Sequence, residues 1–149
     1  MVRFATAIVL GYLVMLLVVA GVFTAAYPLV GVDRLFEPGS YQAARGWITL
    51  SFVISLVAAM TAGSLCARVA PATAAPVWLA AIVLVLGGLM AVPVVMNASP
   101  SRGGVRPPNI TMSDAMAHAE QPLWVALLNP LVGAAGILIG AGPPAFRRG

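Results

Sequence analysis

Charged residues are scarce in this chain of 149 residues, of which 61% are hydrophobic and only 8% are charged. A typical soluble domain carries roughly 25% charged residues. A water-soluble fold of this length would therefore lack the polar surface needed to cover its apolar side chains. A lipid bilayer removes this difficulty, because apolar side chains face hydrocarbon without cost. The composition predicts an integral membrane protein.

Lysine is absent, so all eight basic residues are arginines, and most of them stand alone in the sequence. The net charge of +4 thus comes without the basic stripe that follows a nucleic-acid backbone. Single arginines are typical of the flanks of membrane-spanning helices. We expect the lipid bilayer, and no nucleic acid, as a partner. The lack of lysine beside abundant Ala, Val, Gly and Pro indicates a GC-rich, bacterial genome, and hence a bacterial inner membrane.

Cysteine is represented by Cys66 alone, which excludes an internal disulfide framework and a multi-cysteine metal site. The only histidine, His118, follows Met112 and Met116 in a polar segment. Thioether and imidazole ligands suit copper, but three such residues make a thin site. An apolar docking face with one solvated histidine is the simpler interpretation. We therefore predict no metal and no cofactor.

Four long runs without a charged residue divide the chain, and they cover residues 4–32, 46–67, 69–101 and 121–146. A helix needs about 20 apolar residues to cross a hydrocarbon core of about 30 Å. Each run suffices for one crossing and none for two. The sequence predicts a single all-α domain over 1–149, an integral membrane four-helix bundle. Its predicted helices are 4–27, 46–68, 76–96 and 122–142, joined by loops 28–45, 69–75 and 97–121.

The ends of these helices have their own signals. Pro28 is expected to end the first helix. Trp47, Trp78 and Trp124 each lie near the start of a predicted crossing, where amphipathic rings anchor at the membrane interface. An alternative for the first helix is a cleaved signal peptide. Its apolar run exceeds the ~7–15 residues of a signal-peptide core, which favours a retained helix.

The loop at 97–121 contains a second kind of helix signal. Thr111, followed three residues later by Asp114, resembles a capping box. It predicts a short amphipathic helix at about 112–120. We expect its apolar side to lie on the membrane surface or to dock on the bundle.

The arginines divide evenly between the two sides of such a bundle. With the N-terminus inside, the inner set is Arg3, Arg68, Arg147 and Arg148, and the outer set is Arg34, Arg45, Arg102 and Arg106. All four acidic residues fall in the outer loops, which weakly favours both termini in the cytoplasm. Dual topology is the alternative. This balance resembles that of the small four-helix multidrug-efflux and fluoride-channel families, but residues 4–32 lack the carboxylate that the efflux family requires.

Small residues recur along two of the predicted helices. They are Ser51, Ser55, Ala59 and Gly63 in the second helix and Gly133, Gly136 and Gly140 in the fourth. Such spacing lets helix backbones approach closely in lipid. Packing within the chain is the favoured interpretation, and a dimerisation face is the alternative.

Asn129 and Pro130 form the most informative polar feature inside a crossing. Pro130 removes a backbone donor and is expected to bend the fourth helix. Asn129 needs a hydrogen-bond partner in hydrocarbon, and hydroxyls of the second helix are the expected partners. That hypothesis predicts lower thermal stability for Asn129→Leu. The alternative is that Asn129 lines a solute path.

Asp, Glu, Lys, Arg and His are missing from the predicted crossings, apart from Arg68 at a helix end. Catalysis needs a base, a nucleophile or a metal, and proton-coupled transport usually needs an ionisable group at depth. The sequence therefore predicts a protein that is not an enzyme. The favoured function is a structural or interaction component of the membrane that binds itself or another membrane protein. The alternative is a passive channel or small-solute facilitator, working as a homo-oligomer.

Overall fold

The computed structural model describes residues 2–71, 73–96, 105–107 and 110–143 of the chain. Within these ranges the named elements are all helices: α1 Val2–Val30, α2 Val32–Leu35, α3 Arg45–Val69, α4 Ala75–Met96, α5 Met112–Ala117 and α6 Leu123–Ala141. The helices α1, α3, α4 and α6 are long and apolar enough to span a membrane. The prediction of an all-helical chain with four such helices is confirmed.

The end of α1 differs from the prediction at Pro28, which lies inside the helix. Proline removes a single N–H donor, and here the helix continues for another half turn beyond it. The residue that ends the helix is Gly31, whose φ is +77°. Its N–H donates to the Tyr27 carbonyl at 3.3 Å. Glycine adopts this left-handed conformation without the penalty that a Cβ imposes.

Two short helices complete the element order. The helix α2 was not expected, and it follows directly on Gly31. The helix α5 ends at Ala117, earlier than the predicted end near residue 120. Glu120 is not helical and forms an isolated parallel β-bridge with Gln42 of the loop before α3.

Contacts between the long helices are made through very small residues. A Cβ at Gly63 of α3 would collide with the backbone of Ile137 in α6, and a Cβ at Gly140 would collide with the backbone of Met60. A Cβ at Gly11 of α1 would lie 2.7 Å from Leu79 Cδ2 of α4. These helices therefore approach each other more closely than alanine would allow.

The main cluster of buried residues joins all four long helices. Its members include Ala7, Ala62, Cys66, Leu79 and Ile137, each with no exposed surface. Alanine dominates the cluster, as expected where backbones lie close together. Close approach of the helix backbones, and not the bulk of the side chains, therefore stabilises this cluster.

Candidate functional site

The small residues predicted from the sequence lie in helix contacts within the chain. Ala59 and Gly136 face each other, since a Cβ at Gly136 would lie 2.7 Å from the Ala59 Cβ. Gly133 faces α4, with Val83 Cγ1 3.1 Å from where its Cβ would be. Pro130 is buried. Together with Gly63 and Gly140, these residues connect α6 to α3 and to α4.

Pro130 has a specific neighbour in α4. A Cβ at Gly87 would lie 2.7 Å from Pro130 Cγ, so the proline ring occupies the space that Gly87 leaves open. This explains locally why a glycine in the middle of α4 and a proline in the middle of α6 stand opposite each other.

Most hydroxyl groups of α3 bond to their own helix. Thr49 donates to the Arg45 carbonyl at 3.0 Å, Ser51 to the Trp47 carbonyl at 2.8 Å, and Thr61 to the Val57 carbonyl at 2.9 Å. Such back-bonding satisfies a hydroxyl without any other helix. The expected hydrogen bond from Asn129 to a hydroxyl of α3 is absent from the described residues. The Asn129 amide therefore does not have the partner on α3 that the sequence predicted.

A cavity of about 510 Å³ lies between α1, α4 and α6, with Ser55 of α3 at its wall. We call this cavity the groove. Its size falls in the range of about 300–1,000 Å³ typical of small-molecule sites. The side chains that line it are mostly apolar, and none of them is charged. The groove can therefore hold an uncharged, largely apolar molecule.

Four lining residues of the groove can form hydrogen bonds: Tyr12, Ser55, Gln121 and Asn129. Ser55 is half-buried and Asn129 is exposed. In the part of the chain that the structure describes, no hydrogen bond is made by the side chain of either residue. Two residues singled out from the sequence thus line one cavity with their polar groups unpaired.

Sequence reasoning missed Tyr12 and Gln121 as lining residues. Tyr12 is the only polar side chain between Thr6 and Thr24 of α1, and that isolation was the available signal. Gln121 looked like a helix-flanking residue, and only the three-dimensional arrangement places it at the groove.

A second candidate site is an assembly of two loops at the end where α1 finishes and where α3 and α6 begin. We call residues 31–44, 105–107 and 110–122 the cap. Three backbone hydrogen bonds join its parts: Arg106 N–H to the Gly39 carbonyl at 2.9 Å, Ala43 N–H to the Glu120 carbonyl at 3.0 Å, and Glu120 N–H to the Tyr41 carbonyl at 2.9 Å. These segments therefore form one unit.

The cap has its own small core. Leu35, Phe36 and Ala115 are buried against each other. The predicted docking of the short helix thus takes place through Ala115, and its partner is the first loop. Thr111 caps the short helix as predicted, since its Oγ1 accepts a bond from the Asp114 N–H at 3.2 Å. The Asp114 carboxylate accepts from the Thr111 hydroxyl at 2.6 Å and not from its backbone N–H, so half of the predicted capping box is formed.

Arg106 is the one buried charged residue among the described positions. Its Nη2 donates to Asp33 Oδ1 at 3.1 Å, and the two side chains are 7% and 91% exposed. Its Nε has no hydrogen-bond partner. Burying a guanidinium is costly, and the ion pair across 73 residues of sequence offsets part of this cost.

His118 lies on the surface of the cap. Its Nδ1 is 2.9 Å from the Asp114 carbonyl, and its ring lies 5.4 Å from that of Tyr41. The side chains of Met112 and Met116 lie outside what the structure describes. Among the described residues, no three His, Cys, Asp or Glu side chains gather as a metal site would require.

Aromatic residues surround the long helices near the cap. The Trp47 ring lies 5.3 Å from Tyr27 and 5.5 Å from Phe23. Trp124 stacks on Phe52 at 6.0 Å. Trp78, in the first turn of α4, is 58% exposed at the other end of the molecule. The three tryptophans thus stand at helix ends, as anchors at a membrane interface would.

Comparison with protein-family models, with curated proteins and with solved structures found no match to this chain.

Proposed function

We propose that the chain is inserted in a bacterial cytoplasmic membrane as an antiparallel four-helix bundle, with both termini in the cytoplasm and the cap outside. The mean hydropathy of the four long helices supports insertion, since its best window reaches 1.9 to 2.6 in each of them. On the side opposite the cap, the described residues include Arg3 and Arg68 and no acidic residue. Because the arginines of the sequence divide evenly between the two sides, the proposed orientation rests on the acidic residues, all four of which fall on the side of the cap.

The function that the geometry supports best is that of a non-enzymatic interaction component whose contact surface is the cap. The observation that carries this proposal is the union of two distant loops by backbone hydrogen bonds around Leu35, Phe36 and Ala115. Fixing a loop costs about 1–2 kcal/mol of backbone entropy per residue. The connection between α3 and α4 spans only residues 70–74, so joining helices does not require such a structure. A folded cap offers a fixed surface to a partner.

We propose that the protein is not an enzyme because its long helices lack the side chains that catalysis within a membrane requires. No Asp, Glu, Lys, Arg or His occurs in residues 4–30, 46–67, 75–96 or 123–141. An intramembrane active site would need such a group, or a nucleophile beside a base.

Photo-crosslinking in intact membranes tests the role of the cap. A photoreactive amino acid replaces Glu37 or Gln42, which are both exposed in the cap, and the control replaces Ala74, which is exposed on the opposite side. We expect one discrete adduct of the same added mass from both cap positions and none from Ala74. Adducts of equal yield from Ala74, or no adduct from the cap, would contradict the proposal.

A passive facilitator is the second candidate, and the observation that favours it is that Ser55 and Asn129 line one cavity. Because no charged side chain lines the groove, the solute would be small and neutral. Glycerol entry into proteoliposomes tests this candidate. The facilitator proposal requires a glycerol flux above that of empty liposomes. Asn129→Leu is expected to abolish this flux, whereas Ser51→Ala, outside the groove, is expected to leave it intact. Flux equal to that of empty liposomes eliminates it.

A further inference from the structure

The groove borders the outer surface of the long helices. Three of its lining residues, Leu16, Leu86 and Met90, are 48%, 42% and 79% exposed, so we infer that the groove opens between the helices. All three belong to helices that span the membrane in the proposed arrangement. Outside such an opening lies hydrocarbon, and the molecule that enters from there is a lipid.

Two polar groups of the groove, those of Asn129 and Ser55, lie inside the long helices. Asn129 is the seventh residue of α6, about 9 Å from the start of that helix at 1.5 Å per residue. Ser55 lies about 15 Å along α3 by the same rise. An unpaired amide or hydroxyl at such depth is unfavourable in hydrocarbon. The occupant must therefore bring a hydrogen-bonding group to this depth.

Ser55 is distinguished from the hydroxyls around it. Thr49, Ser51, Thr61 and Ser64 each donate to a backbone carbonyl of α3. Ser55 makes no such bond within the described chain. Its hydroxyl is thus available to a molecule in the groove, together with the Asn129 amide and the Tyr12 hydroxyl.

The charge of the groove restricts the class of lipid. Its lining contains no Arg, Lys, His, Asp or Glu. An ionised headgroup would find no counter-charge there and would lose its hydration. A neutral carbonyl or hydroxyl group needs only the hydrogen bonds that Ser55 and Asn129 supply, and the apolar walls cover the adjoining chain.

We propose that the groove is a binding site for a neutral lipid of the diacylglycerol type, whose ester or hydroxyl oxygens bond to Asn129 and Ser55 while one acyl chain fills the rest. This inference rests on the proposed membrane insertion, and it is independent of the role of the cap. The lipid enters laterally from the bilayer. The groove then acts as a selective site for an uncharged lipid within the membrane.

Native mass spectrometry of the full chain in mild detergent tests this proposal with two probes that share their acyl chains. The probes are dioleoylglycerol, which is neutral, and dioleoyl phosphatidylglycerol, which is anionic. We expect one dioleoylglycerol per chain, retained about tenfold more strongly than the anionic lipid. The doubly substituted Ser55→Ala/Asn129→Leu chain is expected to lose about tenfold in retention, as the loss of two neutral hydrogen bonds implies.

Two matched pairs of variants separate the groove from general damage. Ser51→Ala removes a hydroxyl one turn from Ser55 but outside the groove, and it is expected to bind as the wild type does. Ala20→Trp fills the opening, whereas Ala25→Trp places the same side chain on an exposed part of α1 that does not line the groove. Only Ala20→Trp is expected to abolish binding. Circular dichroism confirms that each variant keeps its helices.

Several results would overturn the proposal. Equal retention of both probes would mean that the groove accepts any acyl chain, and no retention of either would mean that it holds water. Binding that survives both Ala20→Trp and the double substitution would place the lipid elsewhere. Carbonate extraction of cell membranes distinguishes these failures from failure of membrane insertion, because an inserted chain stays in the pellet whether or not it binds lipid.

Discussion

At the scale of single residues, polar side chains of similar type have different roles in this chain. Ser51 and Thr61 donate their hydroxyls to carbonyls of their own helix, whereas Ser55 lines the groove without such a bond. The sequence identified Ser55 and Asn129 as polar groups inside a crossing, and the structure places both at one cavity. The expected bond from Asn129 to α3 is absent among the described residues; back-bonding accounts for this at Thr49, Ser51 and Thr61, but not at Ser55. Spacing alone does not reveal such back-bonding.

The first prediction concerns Asn129. A role in helix packing and a role in lining the groove predict different effects of its substitution on stability. A packing hydrogen bond would make Asn129→Leu less stable. The structure shows an exposed side chain without a protein partner, so we expect the melting temperature in detergent to stay unchanged or to rise. Thermal unfolding followed by circular dichroism measures this. A clear fall in Tm would restore the packing account.

The second prediction concerns the closest helix contact. Gly63→Ala places a methyl group against the backbone of Ile137, which cannot move aside as a flexible side chain can. Overpacking of this kind costs about 1–3 kcal/mol or more. We expect a large fall in Tm or failure to fold.

Gly88→Ala is the matched control for that substitution. Gly88 lies within α4 and has nothing within 4 Å of its Cβ position. Alanine is favoured over glycine in a helix by about 0.5–1 kcal/mol, so this variant is expected to be as stable as the wild type or more stable. Equal Tm values for Gly63→Ala and Gly88→Ala would show that α3 and α6 do not contact as described.

At the scale of elements, hydropathy and capping signals predicted the four long helices and the start of α5. Their ends agree to within three residues of the observed bounds. The prediction that Pro28 ends the first helix was wrong, because a proline near the last turn does not stop the helix, whereas Gly31 with its positive φ does. The helix α2 and the Gln42–Glu120 β-bridge had no local signal. The bridge joins loops far apart in sequence, and a single chain read in order does not show such a contact.

The third prediction concerns the cap. Arg106→Ala removes a buried side chain that pairs with Asp33 across the two loops. We expect the cap to open more often, which limited proteolysis with chymotrypsin detects at Phe36 and Tyr41. If the opening free energy falls by about 1.4 kcal/mol, cleavage becomes about tenfold faster.

Arg34→Ala is the control for this measurement, because Arg34 is exposed in the same segment. It is expected to leave cleavage unchanged. Asp33→Asn is expected to have a smaller effect than Arg106→Ala, since the Asp33 side chain is 91% exposed and solvent screens the pair. Cleavage of Arg106→Ala at the rate of the wild type would mean that the ion pair does not hold the loops together.

At the scale of the whole molecule, the two ends of the helices differ in chemistry. One end carries the folded cap, in which four acidic residues outnumber Arg34 and Arg106, and the rings of Tyr27, Trp47 and Trp124 lie nearby. Among the described residues, the other end has the short connection after α3, with Arg3 and Arg68 and no acidic residue. The proposed orientation depends on this difference between the two ends, which the sequence already shows. The groove could not be read from the sequence, because its walls come from four helices whose relative rotation no local pattern fixes.

The central claim is that the chain spans the membrane four times with the cap outside, and labelling of single cysteines in intact cells tests it most directly. Cys66 is first replaced by alanine, and a cysteine is then placed at Gln42 in the cap or at Ala74 on the opposite side. With a membrane-impermeant maleimide we expect labelling of Gln42→Cys in intact cells and of Ala74→Cys only after the membrane is opened. Equal labelling of both positions in intact cells would indicate dual topology, and the reverse pattern or labelling of both only after lysis would contradict the proposed orientation.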